Sequence, residues 1–313
     1  SRRSATSANK VIQHQCDAVF KSKKMDKDAA FPTCVSVNDC VCHFAPLQGE
    51  SQALAEGDIV KIDLGCHIDG FIAVVAHSLI CSDKEPEPVE AGPLADVFVA
   101  ARTAATVAMK LIKPGNTNVQ VTEAIKSVAD SYGVNACQGV LMHQMKRFVI
   151  DGNKVITQRD EPEQHVEDVT FEANEVYAVD IAMSTGEGKP KERDARTTVF
   201  KRAVEQSYRL KMKASRSVFN EVNQRFPTLP FSISNLNLEE RTGRMGVVEC
   251  VKHDLLHPYP VLYEKAGDQV VHVKFTVLLL PSGTSRVTGE EEEKKTPNEE
   301  FFKSDKAPTD EIV

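Results

Sequence analysis

Two groups of side chains in this 313-residue sequence are of types that bind metal ions or polyanions. The first is Cys40-Val41-Cys42-His43, where two thiols and an imidazole lie within four residues. A structural zinc site needs four well-spaced ligands, and the eight cysteines include no Cys-X-X-Cys pair. The sequence therefore predicts free thiols in a reducing compartment, with neither zinc nor disulfides.

The second group is the stretch from Lys189 to Arg216, which holds ten basic and three acidic side chains. Its local charge of +7 contrasts with the net charge of −7 and leaves −14 for the remainder. Such a concentration of cations favours a surface that contacts a polyanion, although a solvated loop and helix face explains the same residues. The side chains that we predict to contact nucleic acid are Lys189, Lys191, Arg193, Lys201, Arg202, Arg209, Lys211, Lys213 and Arg216.

Hydrophobic periodicity indicates the elements that must position these groups. Helices are predicted over residues 9–24, 94–112, 118–132, 208–226 and 246–256. Strands are predicted within 31–45 and over 59–64, 70–81, 148–156, 175–183, 261–263 and 270–280. The helix over 208–226 would place Arg209, Lys213 and Arg216 on one exposed face. Hairpins mixed with helices favour an α+β domain.

Composition excludes several classes of protein. Hydrophobic residues make up 41% of the chain and charged residues 27%, which is typical of a globular protein. The longest apolar runs are far shorter than the ~20 residues that cross a bilayer, so we expect no membrane insertion. No hydrophobic leader follows the first residues, which favours the cytosol or nucleus. An acidic run at Glu290 to Glu293 predicts a mobile tail over 282–313.

Several motifs resemble type 2 methionine aminopeptidases in order and spacing. They are Ala30-Phe31-Pro32-Thr33, Cys42-His43-Phe44-Ala45-Pro46, the run from Lys61 to Gly70, Val176-Tyr177-Ala178-Val179-Asp180 and Phe275-Thr276-Val277-Leu278-Leu279. Further motifs, including Val149-Ile150-Asp151-Gly152 and Met245-Gly246-Val247-Val248-Glu249-Cys250, are similar to the proliferation-associated, ErbB-receptor-binding branch, which includes fungal curved-DNA-binding proteins. The resemblance implies a pita-bread, creatinase-type fold over residues 1–281, with a type 2 helical insert at about 203–258.

The resemblance also implies five metal-ligand positions, which fall on Asp63, Val74, His143, Asp180 and Lys274. Asp63 and His143 match the family, and Asp180 is one methylene shorter than the glutamate expected there. Valine offers no lone pair and an ammonium group accepts no hydrogen bond, so Val74 and Lys274 remove both bridging carboxylates. This loss opposes binding of two cations, and we expect no cofactor and no aminopeptidase activity.

The same resemblance places His43 and Asp151 in the remnant substrate pocket. His43 matches a substrate-facing histidine and is equally explained as a hydrogen-bonded pocket residue, whereas Asp151 stands where active enzymes have another histidine. Without metals, Asp63 and Asp180 would be buried anions that need compensation. We expect the Lys274 ammonium to replace the metals as an internal cation.

Three functions stay open at this point. An inactive aminopeptidase-like scaffold that binds structured RNA or the ribosome agrees with both the branch resemblance and the basic stretch. A DNA-binding or transcription-regulating adaptor with protein partners is the second, and the two are compatible. A mononuclear peptidase that uses Asp63, His143 and Asp180 is the third. The first interpretation predicts residence in the cytoplasm and nucleus, including the nucleolus.

Overall fold

The structure is a computed structural model that describes residues 2–21, 24–47, 50, 53–84, 88–89, 91–159, 166–289 and 302–308. The helices are α1 (Arg2–Ala18), α2 (Pro93–Leu111), α3 (Asn118–Tyr132), α4 (Lys213–Arg225) and α5 (Glu240–Lys252), with a 3-10 helix at Ile233–Asn235. The strands are β1 (Lys27–Val37), β2 (Cys40–Cys42), β3 (Ile59–Ile68), β4 (Phe71–Ile80), β5 (Asn135–Ala136), β6 (Leu141–Met145), β7 (Val155–Thr157), β8 (Val176–Ser184), β9 (Lys191–Glu192), β10 (Val199–Arg202), β11 (Phe231–Ser232), β12 (Leu256–Tyr259), β13 (Leu262–Tyr263), β14 (Val270–Leu280) and β15 (Gly283–Arg286).

A large antiparallel sheet forms the centre of the molecule, with the strand order β1-β3-β4-β14-β8-β6-β7. Two three-stranded sheets, β11-β10-β12 and β2-β13-β9, lie beside it. The β3–β4 hairpin turns at Asp69 and Gly70, whose φ angles of 52° and 82° suit the tight Asp-Gly turn that joins twisted strands. These features confirm the α+β prediction.

Helices α2 and α3 cover one face of the central sheet. The inner side of α2 is rich in alanine, since Ala100, Ala101, Ala104, Ala105 and Ala108 are all buried. Small side chains let the helix approach β8 and β14 closely, where Val179, Ile181 and Phe275 complete the core. Because side chains alternate along a strand, residues 178, 180, 272 and 274 project from the opposite face.

Several predicted boundaries are wrong for local reasons. Helix α1 ends at Ala18 because Phe20 adopts a left-handed φ of 47°, so the helix does not continue to residue 24. The segment 148–154 is a turn, with Phe148 at φ 59° and backbone hydrogen bonds between Lys146 and Val149, and only β7 is extended. Helix α5 starts earlier than predicted, at Glu240, and ends before Asp254, whose φ is 54°.

The prediction of one helix over 208–226 is also wrong at its start. The Glu249 carboxylate accepts hydrogen bonds from the backbone N–H groups of Lys211 and Met212, at 2.8 and 3.0 Å. The backbone is extended at Met212, and α4 begins at Lys213. Arg209 therefore lies outside the helix, and the three cations do not share a helical face. Both α4 and α5 lie within the segment 203–258, where they pack around a separate apolar cluster.

Within the predicted tail, residues 283–286 form β15 and residues 302–308 lie on α2. The Phe302 side chain is buried against α2, and the mobility of the tail stays a prediction. The acidic run at 290–293 lies outside the described residues. In the part of the chain that the structure covers, no helix is long and apolar enough to span a membrane.

Candidate functional site

The register of the central sheet brings three charged residues into one row. Asp63 on β3 pairs with Ala76 on β4, Ala76 pairs with Lys274 on β14, and Lys274 pairs with Asp180 on β8. The Lys274 Nζ atom lies 2.9 Å from Asp63 Oδ2 and 2.8 Å from Asp180 Oδ2. A single buried ammonium group thus bridges two carboxylates, as expected from the sequence.

The electrostatics of this row follow from burial and close pairing. Burial by itself lowers the pKa of Lys274, but the carboxylates of Asp180 and Asp63 outweigh it and raise that pKa above its ordinary range. Burial likewise raises the pKa of Asp180, and this is outweighed by Lys274 and His272, so the pKa ends well below its usual value. His272 Nε2 lies 2.5 Å from Asp180 Oδ1. The lysine is held charged and the aspartate ionised.

A cavity of about 200 Å³ opens beside the bridge. Its walls are largely apolar and include Phe31, Val74, Ile150, Ala178 and Tyr259. The ammonium of Lys274 lies 5.3 Å from the centre of the Phe31 ring, within the range of a cation–π contact. The cavity therefore has a largely apolar lining, with the charged groups of Asp63, Asp180 and Lys274 on one side.

Two polar atoms in this cavity have no hydrogen-bond partner among the described residues. They are Asp63 Oδ1 and His143 Nδ1, both of them buried. Desolvation lowers the pKa of His143, which keeps its imidazole neutral near pH 7. His143 is placed by β6, where it pairs with Ala178 of β8, two residues along that strand from Asp180.

His43 forms part of the cavity wall. Its Nδ1 atom lies 3.0 Å from the carbonyl oxygen of Pro260, and its ring packs edge-on against Tyr259 at 5.3 Å. The backbone has a left-handed φ of 65° at this residue, and burial lowers the pKa of the imidazole. His43 is thus a hydrogen-bonded pocket residue, oriented by its neighbours.

Asp151 lines the same cavity and forms an ion pair with Lys201 of β10. This contact is not expected from the sequence, where Lys201 belongs to the basic stretch predicted to contact nucleic acid. The pair joins the cavity rim to the small sheet formed by β11, β10 and β12. Lys201 is correspondingly half-buried.

These residues do not fit two divalent cations. Val74 contributes only methyl groups, and the Lys274 ammonium lies between the two carboxylates that would have to bind metal. A metal ion there would meet a cation instead of a bridging glutamate. Among the described residues, no group of three or more His, Cys, Asp or Glu side chains is arranged to hold a metal ion.

The basic side chains of the stretch from Lys189 to Arg216 fall into two groups. Some contact other parts of the protein, and others are exposed to solvent. Arg193 pairs with Asp39 at 2.8 Å, and the Arg216 guanidinium donates to the backbone carbonyls of Leu210 and Lys211. Arg202 lies over the Phe219 ring at 5.7 Å. The exposed members of the predicted set whose side chains form neither a salt bridge nor a hydrogen bond among the described residues are here called the outward cations; they are Lys189, Lys191, Arg209, Lys211 and Lys213.

Sequence reasoning missed His272, which contacts Oδ1 of Asp180, whereas Lys274 contacts Oδ2. Its signal was present, since residues 272 and 274 are two apart on one strand and must share a face. It also missed Tyr259, which ends β12 just after the insert region. No local pattern places Tyr259 beside His43.

The fold places the chain in the class of pita-bread proteins. The family model described as metallopeptidase family M24 matches residues 5–209, and a solved structure of a thermophilic Arx1 superposes on 98% of this chain and 87% of its own, with a TM-score of 0.88 at 24% identity. ErbB-3 binding protein 1 of Solanum tuberosum is 54% identical over 88% of this chain and 71% of its own length. The curved DNA-binding protein of Schizosaccharomyces pombe is 42% identical over 97% and 79%. The chain therefore belongs to metallopeptidase family M24, in the branch of ErbB-3 binding protein 1.

Proposed function

We propose that this chain is a catalytically inactive aminopeptidase-like protein that binds RNA and ribosomes through its basic surface. The proposal that the protein is inactive rests on the position of the Lys274 ammonium, which lies 2.9 Å from Asp63 and 2.8 Å from Asp180. Metal-assisted hydrolysis needs anionic ligands that neutralise the ions and lower the pKa of a bound water. A resident cation between the carboxylates opposes this.

The outward cations support the second half of the proposal. Arg209, Lys211 and Lys213 lie close together around the start of α4, on a protein that is acidic elsewhere. Lysine and arginine side chains bind phosphates with little regard to base sequence and release condensed counterions. The expected partners are structured RNA and the ribosome, in the cytoplasm and nucleus.

A DNA-binding adaptor is the second candidate. It is favoured by the name of the Schizosaccharomyces pombe relative, which is called a curved DNA-binding protein, and by the Solanum tuberosum name, which points to a protein partner. Phosphate contacts of the kind described here suit either nucleic acid.

Equilibrium binding separates the two candidates. A structured RNA and a curved DNA duplex of equal length are titrated with the protein at one fixed salt concentration, and ribosomes are tested by co-sedimentation. We expect tighter binding to the RNA and co-sedimentation with ribosomes. Preference for the curved DNA would favour the adaptor, and no binding to either nucleic acid or to ribosomes would overturn both.

A further inference from the structure

Residues 302–308, here called the C-terminal strap, are held against α2 by a small set of interactions. The Phe302 ring stacks on the Phe98 ring with 3.9 Å between centres and 4° between planes. Residue 302 also forms a parallel bridge with Val89, and the Lys303 N–H donates to the Val89 carbonyl at 3.0 Å. Phe98 is 3% exposed in this arrangement.

The polar contacts of the strap converge on one carboxylate. Asp96, in the first turn of α2, is 7% exposed and accepts from Ser304 Oγ at 2.5 Å and from Lys306 Nζ at 2.6 Å. Lys306 Nζ also donates to the carbonyl of Tyr132, the last residue of α3, at 2.7 Å. Burial raises the pKa of Asp96, but these donors outweigh burial and leave that pKa below its ordinary value. The Ser304 and Lys306 donors therefore favour the ionised form of Asp96.

We propose that Ser304 is a phosphorylation site and that its modification releases the strap from α2. In the reaction, a protein kinase joins Ser304 Oγ to the γ-phosphorus of a nucleoside triphosphate. The bond from that phosphorus to the β-phosphate oxygen breaks, the nucleoside diphosphate leaves, and the hydroxyl proton passes to a base of the kinase. Ser304 is partly exposed and its neighbours Lys303 and Asp305 are exposed, so the segment is open to an enzyme.

After phosphorylation of Ser304, both charge and hydrogen bonding destabilise the state in which the strap is packed on α2. The ester oxygen has no proton to donate, so Asp96 loses the Ser304 hydrogen bond. A phosphate carrying close to two negative charges would then lie beside a buried carboxylate, and a phosphate next to Asp disrupts by like-charge repulsion. Lys306 supplies one charge and is shared with the Tyr132 carbonyl, so it cannot neutralise both anions. Release would uncover the Phe98 ring.

The chain contains no tryptophan, so Phe302→Trp introduces a single fluorescent reporter in the strap. In this background we compare Ser304, phosphoserine incorporated at 304 during translation, Ser304→Asp and Ser304→Ala. We expect a red-shifted emission and an increase of at least about tenfold in hydrogen exchange over 302–306 for phosphoserine, and a smaller change in the same direction for Ser304→Asp. Ser304→Ala is the matched control, since it removes the hydrogen bond without adding charge.

A second experiment tests whether repulsion from Asp96 releases the strap. Asp96→Asn removes the repelling carboxylate, so phosphoserine should release the strap less readily in that variant than in the parent. If phosphoserine leaves emission and exchange unchanged in the parent, because Lys306 captures the phosphate, the proposal is overturned. It is equally overturned if incubation with MgATP and an extract of the protein's own cells phosphorylates other serines but leaves Ser304 unmodified by mass spectrometry.

Discussion

Lys274 is the residue on which the chemistry of the site depends. A buried charge is costly alone, and removing one member of a buried pair leaves the other uncompensated. Here the lysine has two partners at hydrogen-bond distance, and Asp180 has a further contact from His272. An internal network is thus formed by Asp63, Lys274 and Asp180, with His272 as a hydrogen-bond partner of Asp180. It lies at the positions where the family resemblance implies metal ligands.

Substitution of Lys274 tests the network directly. Lys274→Met should lower the free energy of unfolding by about 3–5 kcal/mol, because it leaves two buried carboxylates without a cation. Lys274→Glu should be more destabilising, since it adds a third anion. Urea titration measures both, and Lys126→Met on the exposed face of α3 is the control that should change little. Equal stability of Lys274→Met and the parent would show that the bridge contributes nothing.

Metal ions provide a second test at the residue scale. A ligand raises the melting temperature only if it binds the folded state. Manganese or cobalt should therefore leave the melting temperature of the parent unchanged, because Lys274 occupies the space between the carboxylates. The variant that combines Val74→Asp with Lys274→Glu restores both bridging carboxylates of the implied ligand set and should gain thermal stability with these ions. A metal-dependent rise in the parent is the outcome that argues against an internal lysine in place of the metals.

At the scale of elements, the sheet register positions the site, and the insert carries three of the five outward cations. Arg209 precedes α4, Lys213 begins it, and Lys211 is fixed between them by the backbone hydrogen bond to Glu249. Arg216, by contrast, holds the same turn together through the carbonyls of Leu210 and Lys211. We therefore do not count Arg216 among the outward cations.

Charge reversal separates a phosphate-binding surface from a solvated one. Replacing Arg209, Lys211 and Lys213 with Glu should weaken binding to unrelated structured RNAs alike and reduce the salt slope by about 0.7–0.9 for each phosphate that the protein no longer neutralises. The matched control reverses Lys110, Lys113 and Lys126, which are exposed on α2, α3 and their connection. If both triple variants bind RNA as the parent does, the basic stretch is a solvated face.

The predictability of the fold differs between the sheet and the insert. Strand β14 is predicted at its observed bounds, and the β3–β4 hairpin is evident, because period-two apolar runs and an Asp-Gly turn are local signals. The start of α4 is not predictable, since it depends on Glu249, which is 37 or 38 residues away in sequence. Lys274 and Asp180 can be paired only through the family resemblance. Periodicity does not reveal that β14 lies beside β8.

At the scale of the whole molecule, the site network and the strap make the free energy of unfolding depend on pH. The pKa values of Asp180 and Asp96 are lowered in the folded protein, so the stability that they contribute is present above their ordinary value of 3.8 and lost as pH falls below it. The raised pKa of Lys274 adds stability that is complete below its ordinary value of 10.5. These groups alone predict a plateau between these limits.

Urea titrations from pH 7 to pH 2.5 measure this dependence. The free energy of unfolding should fall below about pH 4, as native carboxylates are forced to take up protons. Asp180→Asn should flatten the fall, because its titrating group is gone, whereas Asp130→Asn on the exposed side of α3 should not. A profile for Asp180→Asn that is as steep as that of the parent would remove Asp180 from the explanation.

The proposal that the cavity has no aminopeptidase activity is best tested by assaying the release of methionine from a Met-Ala-Ser peptide. The protein is assayed with added cobalt or manganese, alongside Asp63→Asn and a buffer blank. We predict no product above the blank with either metal, in preparations that bind RNA. Metal-dependent release of methionine that Asp63→Asn abolishes would contradict the assignment of an inactive site, because the cleavage would then arise in this cavity.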